Sequence, residues 1–381
     1  MIFGEFCDVF PPELDGVGGV VKSYAKGLCE MGDTAYFIAP KGKDPVGNRP
    51  FPLLFCHSFP LPGEPYHVGM PSLDFGFRRR LAEIPFDIAH AHSPFGAGNA
   101  ARAVARRKGI PLVATFHSKY YDDFLAKTHS KRLAALGTRI VVNFYNTCDE
   151  VWAVNSATAA VLHDYGYDRE IRVMPNGTDP WTPQGNQEER LRAVFGEHDG
   201  PLFLFVGQHH WKKNIKTVLE AAAIYGKSHP FRLLFIGQGP DEDAIKRLAI
   251  DLGIGPRTRF LGHIADRETL MQLFAAADLF LFPSLYDNAP MVVREAAAAG
   301  TPSVLVRGAC ATEGTTDGVN AFHTDNTPQA MAKVMEAALP VAAEVGMRAR
   351  DTIPTKWSDL LLDVRARYVE LIEEKKAKSA R

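Results

Sequence analysis

Leu202-Phe203-Leu204-Phe205-Val206-Gly207-Gln208-His209-His210-Trp211-Lys212-Lys213-Asn214 is the stretch that decides the fold. It opens on an unbroken apolar run, which suits a strand covered on both faces rather than one that alternates between core and water. Gly207 stops the run, and a polar, dibasic turn leads into a new helical pattern. A covered strand feeding a helix is the start of a βα unit. The same pattern repeats outward in both directions. Strands are expected near 1–6, 34–40, 52–56, 86–91, 111–116, 149–154 and 171–175, and again near 202–206, 231–236, 258–261, 279–283 and 302–306, with amphipathic helices between them. Parallel sheets of α/β type follow from that alternation.

Between residues 176 and 200 the alternation breaks. Asn176-Gly177-Thr178-Asp179-Pro180 is turn chemistry, Pro183, Gly185 and Asn186 continue it, and His198-Asp199-Gly200 closes it before a new βα unit at Pro201. The chain has 381 residues, too many for one ordinary core and enough for two. The expected division is 1–178, joined by a last helix at 357–381, and 179–356. Trp357, Leu361, Val364, Tyr368 and Leu371 recur on one face of that last helix. Charge is balanced, 43 Lys+Arg against 44 Asp+Glu, which argues against a general nucleic-acid binder. The five cysteines form no close pair, so neither a disulfide framework nor a zinc pattern is present, and a reducing cytoplasm is expected. No basic, apolar leader is seen, and no apolar run approaches the roughly 18 residues of a membrane span, so membrane contact, if any, is peripheral.

Four segments stand where strands end, the edge at which open α/β sheets bind ligands. Asp15-Gly16-Val17-Gly18-Gly19 follows the first strand and opens a helix with the apolar stripe Val20, Tyr24, Leu28 and Met31. Paired glycines admit a close ligand, and a helix N-terminus presents N–H groups to an anion; a plain tight turn is the competing reading. Lys213, with Gly207 and Gln208, offers a point charge for a phosphate, against a solvated lysine pair. Pro283-Ser284-Leu285-Tyr286-Asp287-Asn288-Ala289-Pro290-Met291-Val292-Val293-Arg294-Glu295 sets Asp287 in a loop and Glu295 in the helix behind it. Pro290 suits the first helical turn. The acids could hold sugar and ribose hydroxyls, and the N–H groups of residues 289–292 a diphosphate; an acid that pairs locally is the alternative. His117, in Thr115-Phe116-His117-Ser118-Lys119-Tyr120-Tyr121-Asp122-Asp123, stands at an edge that faces the expected interdomain cleft.

Other patterns carry less. His90 and His92 share a strand face, but two ligands with no third in view do not make a zinc site. Asp241-Glu242-Asp243 contains the DxD of metal–diphosphate sites, yet it opens a helix, where acids serve as caps. Arg78-Arg79-Arg80 and Arg106-Arg107-Lys108 read as charged helix faces that could also meet anionic headgroups.

Taken in order, these segments resemble family 4 of the retaining glycosyltransferases, which have the GT-B fold. The resemblance spans nearly the whole chain: Gly18-Gly19, Phe86-Asp87-Ile88-Ala89-His90-Ala91-His92, Pro175-Asn176-Gly177-Thr178-Asp179, Val206-Gly207 through Lys213-Asn214, Phe260-Leu261-Gly262, Asp287 with Glu295 leading to Gly300-Thr301-Pro302, and Asp317-Gly318-Val319-Asn320-Ala321-Phe322. It implies two Rossmann-like domains facing across a cleft, the second holding the donor, with the last helix crossing back to the first. It implies Lys213 on the donor diphosphate, Glu295 on the ribose, and backbone N–H groups near Ala289 to Val292, from Ala289, Met291 and Val292, around phosphate and sugar, with Asn288 and Pro290, which has no N–H, also lining the donor site. Ile264, beside His263, would border the base, and Gly18 and Gly19 would close over the phosphates. His117 matches the active-site histidine near the donor sugar's 6-hydroxyl, and Lys213 and Asp287 complete the catalytic set. Ser118, Tyr120, Tyr121 and Asp122 fall on the acceptor side. Two positions depart from the pattern: Gln208 stands where relatives carry Arg, with Lys212 or His209 as candidate replacements, and Asp287 where they carry Glu.

The implied reaction transfers a hexose from a nucleotide-diphosphate sugar, with a uridine diphosphate sugar expected from family frequency, to a lipid or saccharide acceptor. Attack comes from the face the diphosphate leaves. No metal and no cofactor beyond the donor is expected, no nucleic acid partner, and a cytoplasmic location that admits membrane association. An epimerase of the same fold and a noncatalytic sugar-nucleotide-binding protein remain as alternatives.

Overall fold

The computed structural model describes residues 1–10, 16–42, 49–60, 67–183, 194 and 199–379. Asp15, Gly185, Asn186 and His198 lie outside them. The chain divides into two compact units, Met1–Gly177 with Trp357–Arg381, and Thr178–Lys356.

The first unit is built on strands β1 (Ile2–Phe6), β2 (Thr34–Pro40), β3 (Leu53–Cys56), β6 (Ile88–Ala91), β7 (Leu112–Phe116), β8 (Glu150–Ala153) and β9 (Ile171–Val173), all parallel, in the order β3-β2-β1-β6-β7-β8-β9. Its helices are α1 (Gly16–Glu30), α2 (Phe75–Glu83), α3 (Gly96–Lys108), α4 (Tyr120–Thr128), α5 (Lys131–Tyr145) and α6 (Ser156–Asp164). The central strands are buried along their whole length, which is why they read as apolar runs. An antiparallel pair, β4 (Ser58–Pro60) with β5 (His67–Gly69), was not expected; each member is only three residues long, and Phe59 and Val68 are exposed. Gly18 and Gly19 lie inside the first turn of α1 rather than in a turn before it.

The second unit repeats the plan with β10 (Leu202–Val206), β11 (Arg232–Ile236), β12 (Thr258–Phe260), β13 (Leu279–Phe282), β14 (Ser303–Val306) and β15 (Phe322–Thr324), in the order β12-β11-β10-β13-β14-β15, again all parallel. Its helices are α7 (Ile215–Tyr225), α8 (Glu242–Asp251), α9 (Arg267–Ala276), α10 (Met291–Ala298), α11 (Pro328–Ala338) and α12 (Ala342–Thr352). Strand β15 also escaped the sequence reading, because Phe322-His323-Thr324 is short and carries one apolar residue.

One device recurs in both sheets. The aspartate just before a strand accepts a hydrogen bond from the first N–H of the neighbouring strand: Asp87 from Ile2 at 2.8 Å, Asp149 from Leu112 at 2.8 Å, Asp278 from Leu202 at 2.7 Å. Each satisfies a backbone donor that the ladder leaves over.

The last helix, α13 (Trp357–Ser379), belongs to the first unit. Leu361 packs over Gly27 so closely that a Cβ there would lie 2.2 Å from its Cδ1. Tyr368 stacks on Trp152 with ring centres 5.6 Å apart, Arg365 pairs with Asp33 at 2.5 Å, and Arg367 pairs with Glu150. No helix among the described residues is long and apolar enough to cross a membrane.

Candidate active site

Each sheet has one place where neighbouring strands send their chains to opposite sides. In the first unit it lies between β1 and β6, in the second between β10 and β13. Such switch points open a crevice at the carboxyl ends of the strands, and the candidate residues gather at both.

At the second unit's switch point, Lys213 follows β10 and Asp287 follows β13. The Lys213 Nζ donates to Asp287 Oδ1 at 2.6 Å, and the other carboxylate oxygen accepts from Ser284 Oγ at 2.5 Å. Lys213 is 9% exposed, so its charge is held in a largely dry setting. Lys212 is exposed, and its Nζ lies 4.4 Å from the centre of the Tyr286 ring; Lys213 Nζ lies 5.2 Å from the same ring. Two cations therefore converge on the loop before α10. His209 cannot add a third: it is fully buried, its Nδ1 lies 3.0 Å from Glu242, and burial lowers its pKa despite that acid. Of the two candidate substitutes for an arginine at Gln208, only Lys212 is placed at this loop.

Glu295, in α10, is nearly buried and accepts from Arg267 Nη1 at 2.7 Å. The local-pairing reading of this acid thus describes its contact here. Pro290 precedes α10 as its N-cap rather than sitting in its first turn, so Met291 and Val292 carry the first helical N–H groups. Asn288 is buried, and Ala289 is half-buried beside it. The loops after β10 and β11 touch backbone to backbone: a Cβ on Gly237, whose φ is +131°, would lie 1.9 Å from the Gly207 carbonyl oxygen. Only glycine tolerates both demands. Ile264, before α9, packs its side chain on the core cluster of this unit. In the Asp241-Glu242-Asp243 segment, Asp241 accepts from the Trp211 N–H at 2.9 Å and makes no side-chain cap, while the middle acid Glu242 pairs with Lys246 and His209.

At the first unit's switch point lies a network the sequence reading only half saw. Glu5 on β1, His90 on β6 and His92 just past it are fully or almost fully buried. His92 Nε2 is 2.9 Å from Glu5 Oε2, and His92 Nδ1 is 3.2 Å from His117 Nε2. His90 Nδ1 is 2.5 Å from the Tyr368 hydroxyl and its Nε2 is 2.7 Å from Thr115 Oγ1. Tyr368 donates in turn to Glu5 Oε1 at 3.1 Å. Burial by itself would raise the Glu5 pKa, but hydrogen bonds and charge from His90 and His92 outweigh it and hold it at about 2. Burial drives His90 down to about 4 and His117 well below the usual imidazole range.

Glu5 supplies the third ligand that the His90–His92 pair lacked: the three residues present ligand atoms within 4.8 Å of one another. Each nitrogen of His90 and His92 already has a protein partner, however, so a cation would have to break that network. The sequence signal for Glu5 was there: it is the one ionisable residue in an otherwise apolar strand.

The residues expected on the acceptor side separate. Ser118 and Tyr121 are half-buried and Asp122 is exposed. Tyr120 does not join them. Its ring is 6% exposed, lies among Phe95, Phe116 and Phe124, and its hydroxyl is bonded to Tyr145, so it is a core residue. Asp8, which the sequence reading passed over, accepts from Ser93 Oγ at 2.6 Å and from the Ala97 N–H at 2.8 Å, tying β1 to α3.

Two family models match the chain, Glycosyltransferase Family 4 over residues 14–181 and Glycosyl transferases group 1 over residues 187–342. The chain belongs to family 4 of the glycosyltransferases. Among similar proteins is the alpha-monoglucosyldiacylglycerol synthase of Streptococcus pneumoniae, 27% identical over 320 residues that make up 80% of this chain and 70% of the relative. The fold is that of the GT-B glycosyltransferases. Sucrose-phosphate synthase from Thermosynechococcus elongatus superposes with a TM-score of 0.83 at 18% identity, covering 98% of this chain and 100% of that one. HepE from Anabaena, crystallised with UDP and glucose, gives 0.76 at 18% identity, covering 96% and 98%.

Proposed function

We propose that this glycosyltransferase moves a hexose from a UDP-sugar to a lipid or saccharide acceptor with retention of configuration and without a metal ion. The observation that carries the reading is the Lys213–Asp287 pair at the β10/β13 switch point, with Lys212 beside it and the α10 N-terminus behind it. That arrangement is cationic where a diphosphate needs neutralising. A donor entering here would take over Lys213 by its phosphates, leaving Asp287 to accept a sugar hydroxyl. As the glycosyl–phosphate bond stretches, negative charge grows on the leaving diphosphate and positive charge on the sugar. Lys213, Lys212 and the first N–H groups of α10 stabilise the former. Glu295 holds the ribose hydroxyls, exchanging Arg267 for them, and Ile264 borders the base. Gly18 and Gly19 leave room beside the phosphates. The leaving phosphate oxygen takes the acceptor's proton, so no protein nucleophile is needed. His117 contacts the sugar, and Ser118, Tyr121 and Asp122 serve the acceptor.

HepE's complex with UDP supports uridine as the base, and the pneumococcal relative's name supports a lipid acceptor. A lipid is favoured further by α5. Leu133, Leu136 and Ile140 are 53%, 55% and 62% exposed on it, beside Lys131, Arg132 and Arg139, and the helix has no acid. An aliphatic stripe among cations suits an anionic bilayer surface. By contrast, Arg79 of α2 pairs with Glu83, and Arg80 and Lys108 donate to the carbonyls of Phe55 and Ala82, as charged faces do.

The test is release of nucleoside diphosphate from UDP-glucose, UDP-galactose and GDP-mannose, in excess chelator, with and without diacylglycerol in anionic vesicles. Release of UDP that rises with the vesicles is expected. Strict dependence on a divalent ion, or release from GDP-mannose alone, contradicts the reading. Donor binding with no turnover on any acceptor would favour the noncatalytic alternative.

A further inference from the structure

Lys213 and Asp287 stand on loops that part company. The parallel register of β10 with β13 ends at Leu204 and Phe280, and past a switch point the two chains leave for opposite sides of the sheet. The strand ladder therefore cannot set the distance between the lysine and the aspartate. The side chains next to them can. Asn214, one residue past Lys213, donates from Nδ2 to the Pro283 carbonyl at 3.2 Å and to Asn326 Oδ1 at 2.7 Å, and its Oδ1 accepts from Thr217 Oγ1 at 2.8 Å. A carbonyl only accepts, so Pro283 fixes which way the amide faces. Ser284, the next residue, is fully buried and donates to Asp287 Oδ2 at 2.5 Å, while its oxygen accepts from the Tyr286 and Asp287 N–H groups at 3.3 and 3.4 Å. The turn that carries Lys213 and the aspartate that meets it are thus both tied to Pro283-Ser284, at the end of β13.

The backbone alone does not explain an asparagine here. Asn214 has a φ of +59°, and among the described residues only His129 shares a positive φ without being glycine; glycine takes that conformation at less cost. Asn214 also precedes α7, where an asparagine ordinarily accepts from the first helical N–H groups, yet it makes no such cap bond. Its amide is spent across the crevice instead. We propose that Asn214 and Ser284 are positioning residues that hold Lys213 and Asp287 at ion-pair distance across the β10/β13 switch point. Asn214 acts through the turn Trp211–Lys213, which it closes by donating its N–H to the Trp211 carbonyl at 2.9 Å, and Ser284 acts through the Asp287 carboxylate. The lysine ammonium is then already aimed when a diphosphate arrives. That last consequence rests on the donor reading above; the geometry does not.

The direct test is a proton–nitrogen spectrum of the lysine side chains in the whole protein carrying 15N-lysine, with no ligand added. An ammonium group is seen there only when an ion pair and burial slow its exchange with water. The wild type should show such a signal for Lys213, assigned by its loss in Lys213→Ala. Asn214→Gly keeps the backbone conformation and removes the amide, and Asn214→Ala removes the amide and strains the backbone. Both should lose the signal, whereas a purely conformational role would be filled by glycine and disturbed only by alanine. Ser284→Ala frees Asp287 from the other side and should lose the signal too. With a donor and acceptor that the wild type turns over, Asn214→Gly should lower kcat by about tenfold or more, with a smaller change in the donor KM. A wild type without a protected Lys213 ammonium, or one that persists in folded Asn214→Gly, overturns the proposal. Should Asn214→Gly not fold, persistence of the signal in Ser284→Ala overturns it and loss of the signal there upholds it. Absence of transfer from any sugar nucleotide would break the functional reading while leaving the ammonium result standing.

Discussion

The two sheets share a plan and use their switch points in opposite ways. In the second unit a nearly buried lysine meets an aspartate in a loop, and a second, exposed lysine stands by. In the first unit a buried carboxylate is surrounded by imidazoles, a tyrosine and a threonine, with every polar atom of that inner set partnered. The first arrangement would be exchangeable under the proposed function: a phosphate replacing Asp287 on Lys213 would leave behind a partly exposed carboxylate rather than a buried one. The second is not, since removing any member leaves a polar group in a dry core. The comparison teaches that the same topology can leave a lysine–aspartate pair with an exposed lysine at one edge and, at another, satisfy its polar groups on one another in a dry core.

The comparison can be broken most sharply at Lys213. Lys213→Ala should lower turnover by about a hundredfold or more while leaving the fold intact, because a transition-state charge loses its partner; steady-state rates with UDP-glucose check this. Glu295→Ala should weaken donor binding by about 1.5–3 kcal/mol, the worth of hydrogen bonds to a charged group, with the loss appearing in KM more than in kcat. In the first unit the expected effect is on stability. Tyr368→Phe strips one donor from Glu5 and the acceptor from His90, and should cost about 1–3 kcal/mol in denaturant unfolding.

A last prediction concerns acid. His90 has its pKa lowered to about 4 by burial, so below about 6.5 the unfolded chain takes up a proton that the folded one refuses. Stability therefore falls as pH drops from about 6.5 towards 4. Glu5 stays ionised down to about 2 in the fold, under the hydrogen bonds of His90 and His92 that outweigh its burial, while its unfolded form protonates near the ordinary carboxylate value. It extends the same fall below about 4.5. Each group contributes at most about 1.4 kcal/mol per pH unit. Unfolding midpoints measured across this range should slope downward into acid, and His90→Gln should flatten the upper part of the slope.

Much of this was legible in the chain. Continuous apolar runs such as Leu202–Val206 gave the covered strands, because a strand buried on both faces has no polar positions to confuse the pattern. The places of Lys213 and Asp287 in the loops after β10 and β13 could be read from the same pattern. Strands β4, β5 and β15 were lost for the converse reason: three residues give no period, and their pairing is decided by neighbours distant in sequence. The Glu5 network was lost because its members come from positions 5, 90, 92, 115, 117 and 368, and only folding brings α13 against β1. Tyr120 was misjudged because its neighbours in sequence are polar, whereas its ring turns into the core among three phenylalanines. The partner of Glu295 was equally hidden, since Arg267 lies on the preceding helix.

The central claim is that the β10/β13 switch point holds a sugar-nucleotide diphosphate through Lys213. It is tested most directly by thermal unfolding of the wild type and Lys213→Ala with UDP and UDP-glucose in excess chelator. Ligand at 100 times its dissociation constant should stabilise the wild type by about 2.7 kcal/mol. The account predicts that shift in the wild type and its loss in Lys213→Ala. An equal shift in both proteins, or none in the wild type with any sugar nucleotide, would contradict it.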